Sequence, residues 1–271
     1  MSHNTININF AHANGFPAGS YQSLFNCFEE NVKIIALDKF AHNPMFPLND
    51  NWLNQVDELI DYAQQHKKNE DYSGRMVAMG HSFGAVISYL ACCKRPDLFD
   101  QLIMLDPPLI TGLASMVFKV AKNTRWIDKI TPSGITQIRK SSWHLEDDLV
   151  AYFKRKNLFK DMQIECIRDY VDSVTHEIDG RRKLHFDINI EANIFRTIPT
   201  NLKQHYGQLK IPATLITGKF SPVCVPKLYR PFLKGNPSVM HIELPKGAHM
   251  FPLEHPTLLA DTIKPLLEKW L

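Results

Sequence analysis

Long apolar runs are missing from this 271-residue sequence: no stretch approaches 18 consecutive apolar residues, which argues against a membrane-spanning helix. The opening residues, MSHNTININF, also lack a basic segment followed by an apolar one, so the expectation is a soluble cytoplasmic protein without membrane insertion. Cysteine is scarce. Cys27, Cys92, Cys93, Cys166 and Cys224 make an odd set of five without CxxC spacing, which argues for reduced thiols and against a disulfide framework. Excess charge is small too, and a formal net charge of +3 gives no sign of the basic stripe that nucleic acid requires. No GxGxxG or Walker sequence follows an apolar run, and the spacings from His241 to His249 and from His249 to His255 match no metal-ligand pattern. Neither a cofactor nor a metal is therefore expected.

What is present is a chain long enough, at 44% apolar residues, to bury a large core. Short β-rich runs (TININFAHA, VKIIALD, RMVAMGH, QLIMLD, PATLITG and SVMHIELP) alternate with helical patterns around 18–29, 52–67, FGAVISYLACCKR and HPTLLADTIKPLLEKWL. That alternation predicts an α/β protein with a mostly parallel central sheet and helices on both faces. The rhythm breaks between 112 and 205, where SSWHLEDDLVAYFKRKNLF and MQIECIRDYVDSVTHEI have helical periodicity with no strand between them. The expected organisation is a core domain, 1–111 and 206–271, carrying a helical cap, 112–205. Residues 112–210 hold 17 Lys and Arg against 12 Asp and Glu. A solvated helix face explains this first, and a tolerance for anionic acyl groups second. Helical spacing places most of the cap aromatics, Phe118, Trp126, Trp143, Tyr152, Phe153 and Phe159, in the cap's own core.

The chemistry concentrates in RMVAMGHSFGAVIS. Ser82 stands between Gly80 and Gly84 where an apolar strand meets a helix of small residues, and a nucleophile on so sharp a turn leaves no room for bulky neighbours. There it would face a helix N-terminus, with the amide of Phe83 placed to donate to an oxyanion. A serine hydroxyl is a weak nucleophile without a base. Of the 12 histidines, His249 follows the last β-rich run in a glycine-containing loop and precedes the final helix, which puts it where strand-end loops gather. His81 adjoins Ser82 but, as a strand neighbour, points the other way.

The motifs FAHANGFPAGSY, GHSFGA and GAHMFPLEHP together resemble the α/β-hydrolase family, in its capped, esterase- or lipase-like branch. The resemblance covers the core domain and implies that the first motif supplies a second oxyanion-hole amide, here that of Asn14 or Phe16. It also exposes a departure. Where most members carry an Asp after the penultimate strand, this chain reads ITGKFSPVCVP with Ser221 in the slot, and no carboxylate lies between Leu215 and Lys234. Asp106, ending the strand after the nucleophile helix, is the replacement acid, a position that some members of the family use; Ser221→Asp should then matter little. If Asp106 only caps the turn before Pro107 and Pro108, Ser221 or a water is left to orient His249. Asp38 and His42 are expected at the pocket rim, and Cys224 in packing or at the rim. The expected function is a serine hydrolase that cleaves a small-molecule carboxylic ester or thioester through an acyl-serine. C–C bond hydrolysis and perhydrolysis are the alternatives on the same fold, and a non-catalytic binding protein is the alternative outside enzymology.

Overall fold

The computed structural model describes residues 5–70 and 72–268 and contains β1 (Ile6–Ala11), β2 (Val32–Ala36), β3 (Arg75–His81), β4 (Gln101–Leu105), β5 (Ser142–His144), β6 (Thr175–Ile178), β7 (Arg181–Leu184), β8 (Ala213–Gly218) and β9 (Val239–Leu244). Six of them form one sheet in the order β2-β1-β3-β4-β8-β9. Every pairing in it is parallel. The β-rich runs are almost continuously apolar because both faces are covered: β4 is buried throughout, and β3 from Met76 to His81.

Alternate residues feed two cores. Ile6, Ile8, Phe10, Val77 and Met79 pack with the helix Pro256–Glu268, while Ala11, Met76 and Ala78 pack with the helices Leu53–Lys67 and Phe83–Lys94. Each fully buried large side chain contributes roughly 1.5–3 kcal/mol. The chain runs from β1 outward to β2 and then crosses back to β3 on the other side of β1. Beyond the carboxyl ends of the strands, such a reversal opens a crevice that side chains from two loops can share. The loop after β1 and the turn after β3 meet there.

The segment between β4 and β8 corrects one expectation, because it is not purely helical. It contains the helices Gly112–Ala121, Leu149–Lys154, Ile164–Val174 and Ile188–Arg196, but also a three-stranded antiparallel sheet in the order β5-β7-β6. Helical periodicity holds to Val174. After it, Asp179 and Gly180, both at positive φ (52° and 68°), form the two-residue turn that joins β6 to β7 as a hairpin. Trp143, Phe153 and Phe159 are buried together with Tyr170, whereas Trp126 is exposed. The insertion rests on the loops that leave β1 and β2. Phe16 packs on Phe159 and Tyr170, the indole of Trp52 donates to the Ile194 carbonyl at 2.9 Å, and Lys39 Nζ donates to the His185 carbonyl at 3.1 Å.

Candidate active site

Ser82 occupies the turn from β3 into the helix Phe83–Lys94 with φ 54° and ψ −116°, a conformation that non-glycine residues rarely hold. Its amide donates to the Leu105 carbonyl at 2.8 Å, which pins the turn to the end of β4. The flanking glycines are forced by space: a Cβ on Gly80 would lie 2.3 Å from the Gly84 carbonyl oxygen, and one on Gly84 only 1.9 Å from that of Ala11. The second contact brings the Ser82 turn against the backbone that leads into the loop after β1.

His249 Nε2 lies 3.0 Å from Ser82 Oγ, and its Nδ1 lies 2.7 Å from Asp106 Oδ2. Asp106 is wholly buried at the end of β4, with φ 46°. Its carboxylate has further donors: the Gly218 amide reaches Oδ1 at 3.3 Å, and the Ser221 hydroxyl donates to Oδ2 at 2.5 Å. Ser221 Oγ in turn accepts from the amides of Val223 and Cys224 at 3.1 and 3.3 Å. The residue in the vacant slot thus addresses the carboxylate and not the imidazole. Cys224 is buried beside it, and burial first, then the Asp106 charge, pushes its thiol well above the usual range, which disfavours the thiolate.

A relay that the sequence did not reveal runs behind these residues. The Ala13 amide donates to Tyr21 Oη at 3.2 Å, Tyr21 donates to His81 Nδ1 at 2.7 Å, and His81 Nε2 donates to the His249 carbonyl at 2.9 Å. His81 does point away from Ser82, yet it ties the loop after β1 to the loop carrying His249. Burial, then the neighbouring His249, holds its pKa well below the ordinary range, so the ring is neutral and its single N–H is committed to the carbonyl. His12 is also neutral, pushed down to about 4 by burial. Its Nδ1 donates to the Ala13 carbonyl at 2.8 Å, and its Nε2 accepts from the Phe40 amide at 3.1 Å.

The two candidates for the second oxyanion donor differ. The Phe16 amide closes a turn on the Ala13 carbonyl at 3.0 Å, while the amides of Asn14 and Phe83 have no protein partner among the described residues. The insertion holds this loop from the other side. Asn14 Nδ2 donates to the Glu191 carbonyl at 2.8 Å, and Gly15, at φ 75°, sits so close that a Cβ would lie 2.6 Å from Glu191 Oε1. Arg139 clamps that carboxylate through both oxygens at 2.8 and 2.7 Å and donates to Tyr170 Oη at 2.8 Å. No sequence signal links Arg139, Tyr170 and Glu191, which come from separate elements. Asp38 is exposed, and His42 Nε2 accepts from the Asp187 amide at 3.2 Å, so His42 helps to seat the insertion.

The strand order, the sharp Ser82 turn at the end of β3 and the overall shape define an α/β-hydrolase fold. Among solved structures, the peroxisomal alpha-beta-hydrolase Lpx1 from Saccharomyces cerevisiae superposes with a TM-score of 0.81 at 16% identity, covering 100% of this chain and 79% of that one. A thioesterase domain from the curacin biosynthetic pathway gives 0.72 at 15% identity, covering 97% and 92%. In sequence, a monoglyceride lipase homolog of Monkeypox virus is 24% identical over 136 residues, 44% of this chain. That match spans about half (49%) of the relative's length. No family model matches the chain.

Proposed function

We propose that the chain is a serine hydrolase acting on a carboxylic ester or thioester. The observation that carries this reading is the position of His249, whose two ring nitrogens face Ser82 Oγ and the buried Asp106 carboxylate at 3.0 and 2.7 Å. Ser82 attacks the substrate carbonyl while His249 Nε2 takes its proton. Asp106 accepts the Nδ1–H, keeps the imidazole in the tautomer whose Nε2 is free to act as base, and stabilises the imidazolium that forms. The oxyanion is held by the amides of Phe83 and Asn14, since that of Phe16 is engaged in its turn. His249 then gives its proton to the departing alcohol or thiol. Water, activated by the same imidazole, releases the acid. The relatives and neighbours are named as a lipase homolog, a thioesterase and a hydrolase, which is consistent with acyl transfer. The residues that seat the insertion against the loop after β1 support its reading as a cap over the site, one that moves to admit substrate.

Fluorophosphonate labelling tests the assignment. Stoichiometric modification of Ser82, lost in His249→Ala, is the expected result; an unreactive Ser82 together with tight binding of a small acid or ester would make the chain a binding protein. A panel of p-nitrophenyl esters of increasing acyl length, with thioesters beside it, then ranks the substrates.

A further inference from the structure

The helix Gly112–Ala121 carries large apolar side chains on opposite sides, but only one of those sides is covered. Ala114 and Phe118 pack against the core beneath, and Ala121 is fully buried. Leu113, Met116, Val117 and Val120 face solvent at 81, 66, 43 and 66% exposure. Their i, i+3, i+4, i+7 spacing makes one continuous stripe along the outer side of the helix. Trp126 follows at 47% exposure, and Ile135 and Ile138 beyond it are more exposed still. An exposed apolar stripe of this kind on a helix marks a binding face.

The charge of the segment that carries the stripe is mostly positive. Between 112 and 140 there are six Lys and Arg and one acid, Asp128, which is paired with Arg196. Lys122 is paired with Asp50, and Arg139 with Glu191. Lys119, Arg125 and Lys129 are exposed and have no ion pair among the described residues. We propose that this face docks on an anionic lipid bilayer, with the stripe and Trp126 entering the headgroup boundary and the three free cations meeting acidic headgroups. A second copy of the chain is a poorer occupant, because a twofold contact through the stripe would gather two sets of unpaired cations, Lys119, Arg125 and Lys129 of each copy, into one interface.

This is adsorption on a surface, not insertion across it: among the described residues no helix is long and apolar enough to cross a membrane. The docked orientation bears on the site. The helix begins shortly after Asp106 at the carboxyl end of β4, and Thr111, just before it, donates to the Leu228 carbonyl at 2.7 Å. Exposed Phe220, with Lys219 beside it, leaves the carboxyl end of the neighbouring β8. The bilayer would therefore lie along the edge of the sheet at which Ser82 and His249 sit. The inference does not depend on the hydrolase reading.

Flotation of the full chain with vesicles tests it, comparing phosphatidylcholine alone with phosphatidylcholine containing phosphatidylserine, each at low and high salt. The expected result is co-flotation with the anionic vesicles, released by salt. The double variant Val117→Glu/Val120→Glu changes only exposed positions and should melt as the parent does while losing at least about tenfold in vesicle affinity. Lys119→Glu/Arg125→Glu should abolish the preference for anionic over neutral vesicles. Failure to float with anionic vesicles, or undiminished flotation of the Val117→Glu/Val120→Glu protein, overturns the proposal. So does a concentration-dependent dimer that this variant dissolves while vesicles have no effect.

Discussion

Ser221 donates to the same Asp106 oxygen that faces His249, at 2.5 Å against 2.7 Å, so the residue standing where a carboxylate is usual holds the carboxylate proposed to replace it. This changes the expectation for Ser221→Asp. A second carboxylate at that distance from a buried one cannot ionise independently, and the two would have to share a proton. Ser221→Asp should therefore lower kcat further than Ser221→Ala, which removes one hydrogen bond but leaves the Gly218 amide in place. Steady-state kinetics of the two variants decide the point; a Ser221→Asp enzyme as active as the parent would refute the role given to Ser221.

Ser82→Ala should abolish ester hydrolysis while leaving the melting temperature nearly unchanged, because the hydroxyl fills little of the packed volume and the strained turn is set by Gly80, Gly84 and the bond to Leu105. Turnover above the uncatalysed background would remove Ser82 as the nucleophile.

Asp106→Asn should keep the fold but favour the wrong imidazole tautomer, lowering kcat by on the order of 10³- to 10⁴-fold, as in the serine-protease triad. A loss smaller than about tenfold, under roughly 1.4 kcal/mol of barrier, would reduce Asp106 to a turn residue.

The relay through Tyr21 and His81 makes a separate prediction. Tyr21→Phe leaves the His81 Nδ1 and the Ala13 amide without their buried partner, at a cost of about 1–3 kcal/mol for each group left unpaired. Because one end of the relay reaches the loop of Asn14 and the other the His249 carbonyl, kcat should fall while KM changes little. If thermal stability falls and kcat does not, the relay is structural only.

Stability against pH should carry the mark of Glu58. Its Oε2 accepts from the Ala41 amide at 2.9 Å, and burial raises its carboxyl to about 7 from an ordinary 4.5. Between those values the folded state holds a proton that the unfolded chain has lost, so this group stabilises less as pH rises from 4.5 and least above 7. His12, lowered to about 4 from 6.5, acts with the opposite sign, losing stability on acidification from 6.5 downward. Glu58→Gln isolates the first effect. Relative to the parent, its melting temperature should be higher at pH 8 than at pH 4.5, by about 5 °C. A difference that does not vary with pH would mean that Glu58 titrates normally.

The sheet was legible in the sequence because parallel strands covered on both faces read as unbroken apolar runs; RMVAMGH coincides with β3 from Arg75 to His81. Ser82 and His249, named for their places beyond strand ends, and Asp106, named at a strand end through the resemblance to α/β-hydrolases, come within hydrogen-bonding distance. The β6–β7 hairpin is masked in the sequence by the helical period before it, although Asp179-Gly180 is a strong turn signal. What could not be read depends on side chains that meet from distant elements. Tyr21 and His81 are 60 positions apart, Arg139 and Glu191 are 52 apart, and no local pattern encodes either pair.

The Asn14 and Gly15 contacts with Glu191 also bear on building chimaeras from this scaffold. The loop after β1 is shaped on one side by the sheet and on the other by a carboxylate and a carbonyl of the insertion, so its boundary in space does not coincide with any boundary in the chain. Swapping in a foreign insertion to change selectivity would leave that loop moulded to a surface that is no longer there. A successful graft would have to carry residues 13–16 with it, or bring its own match for Arg139, Tyr170 and Glu191.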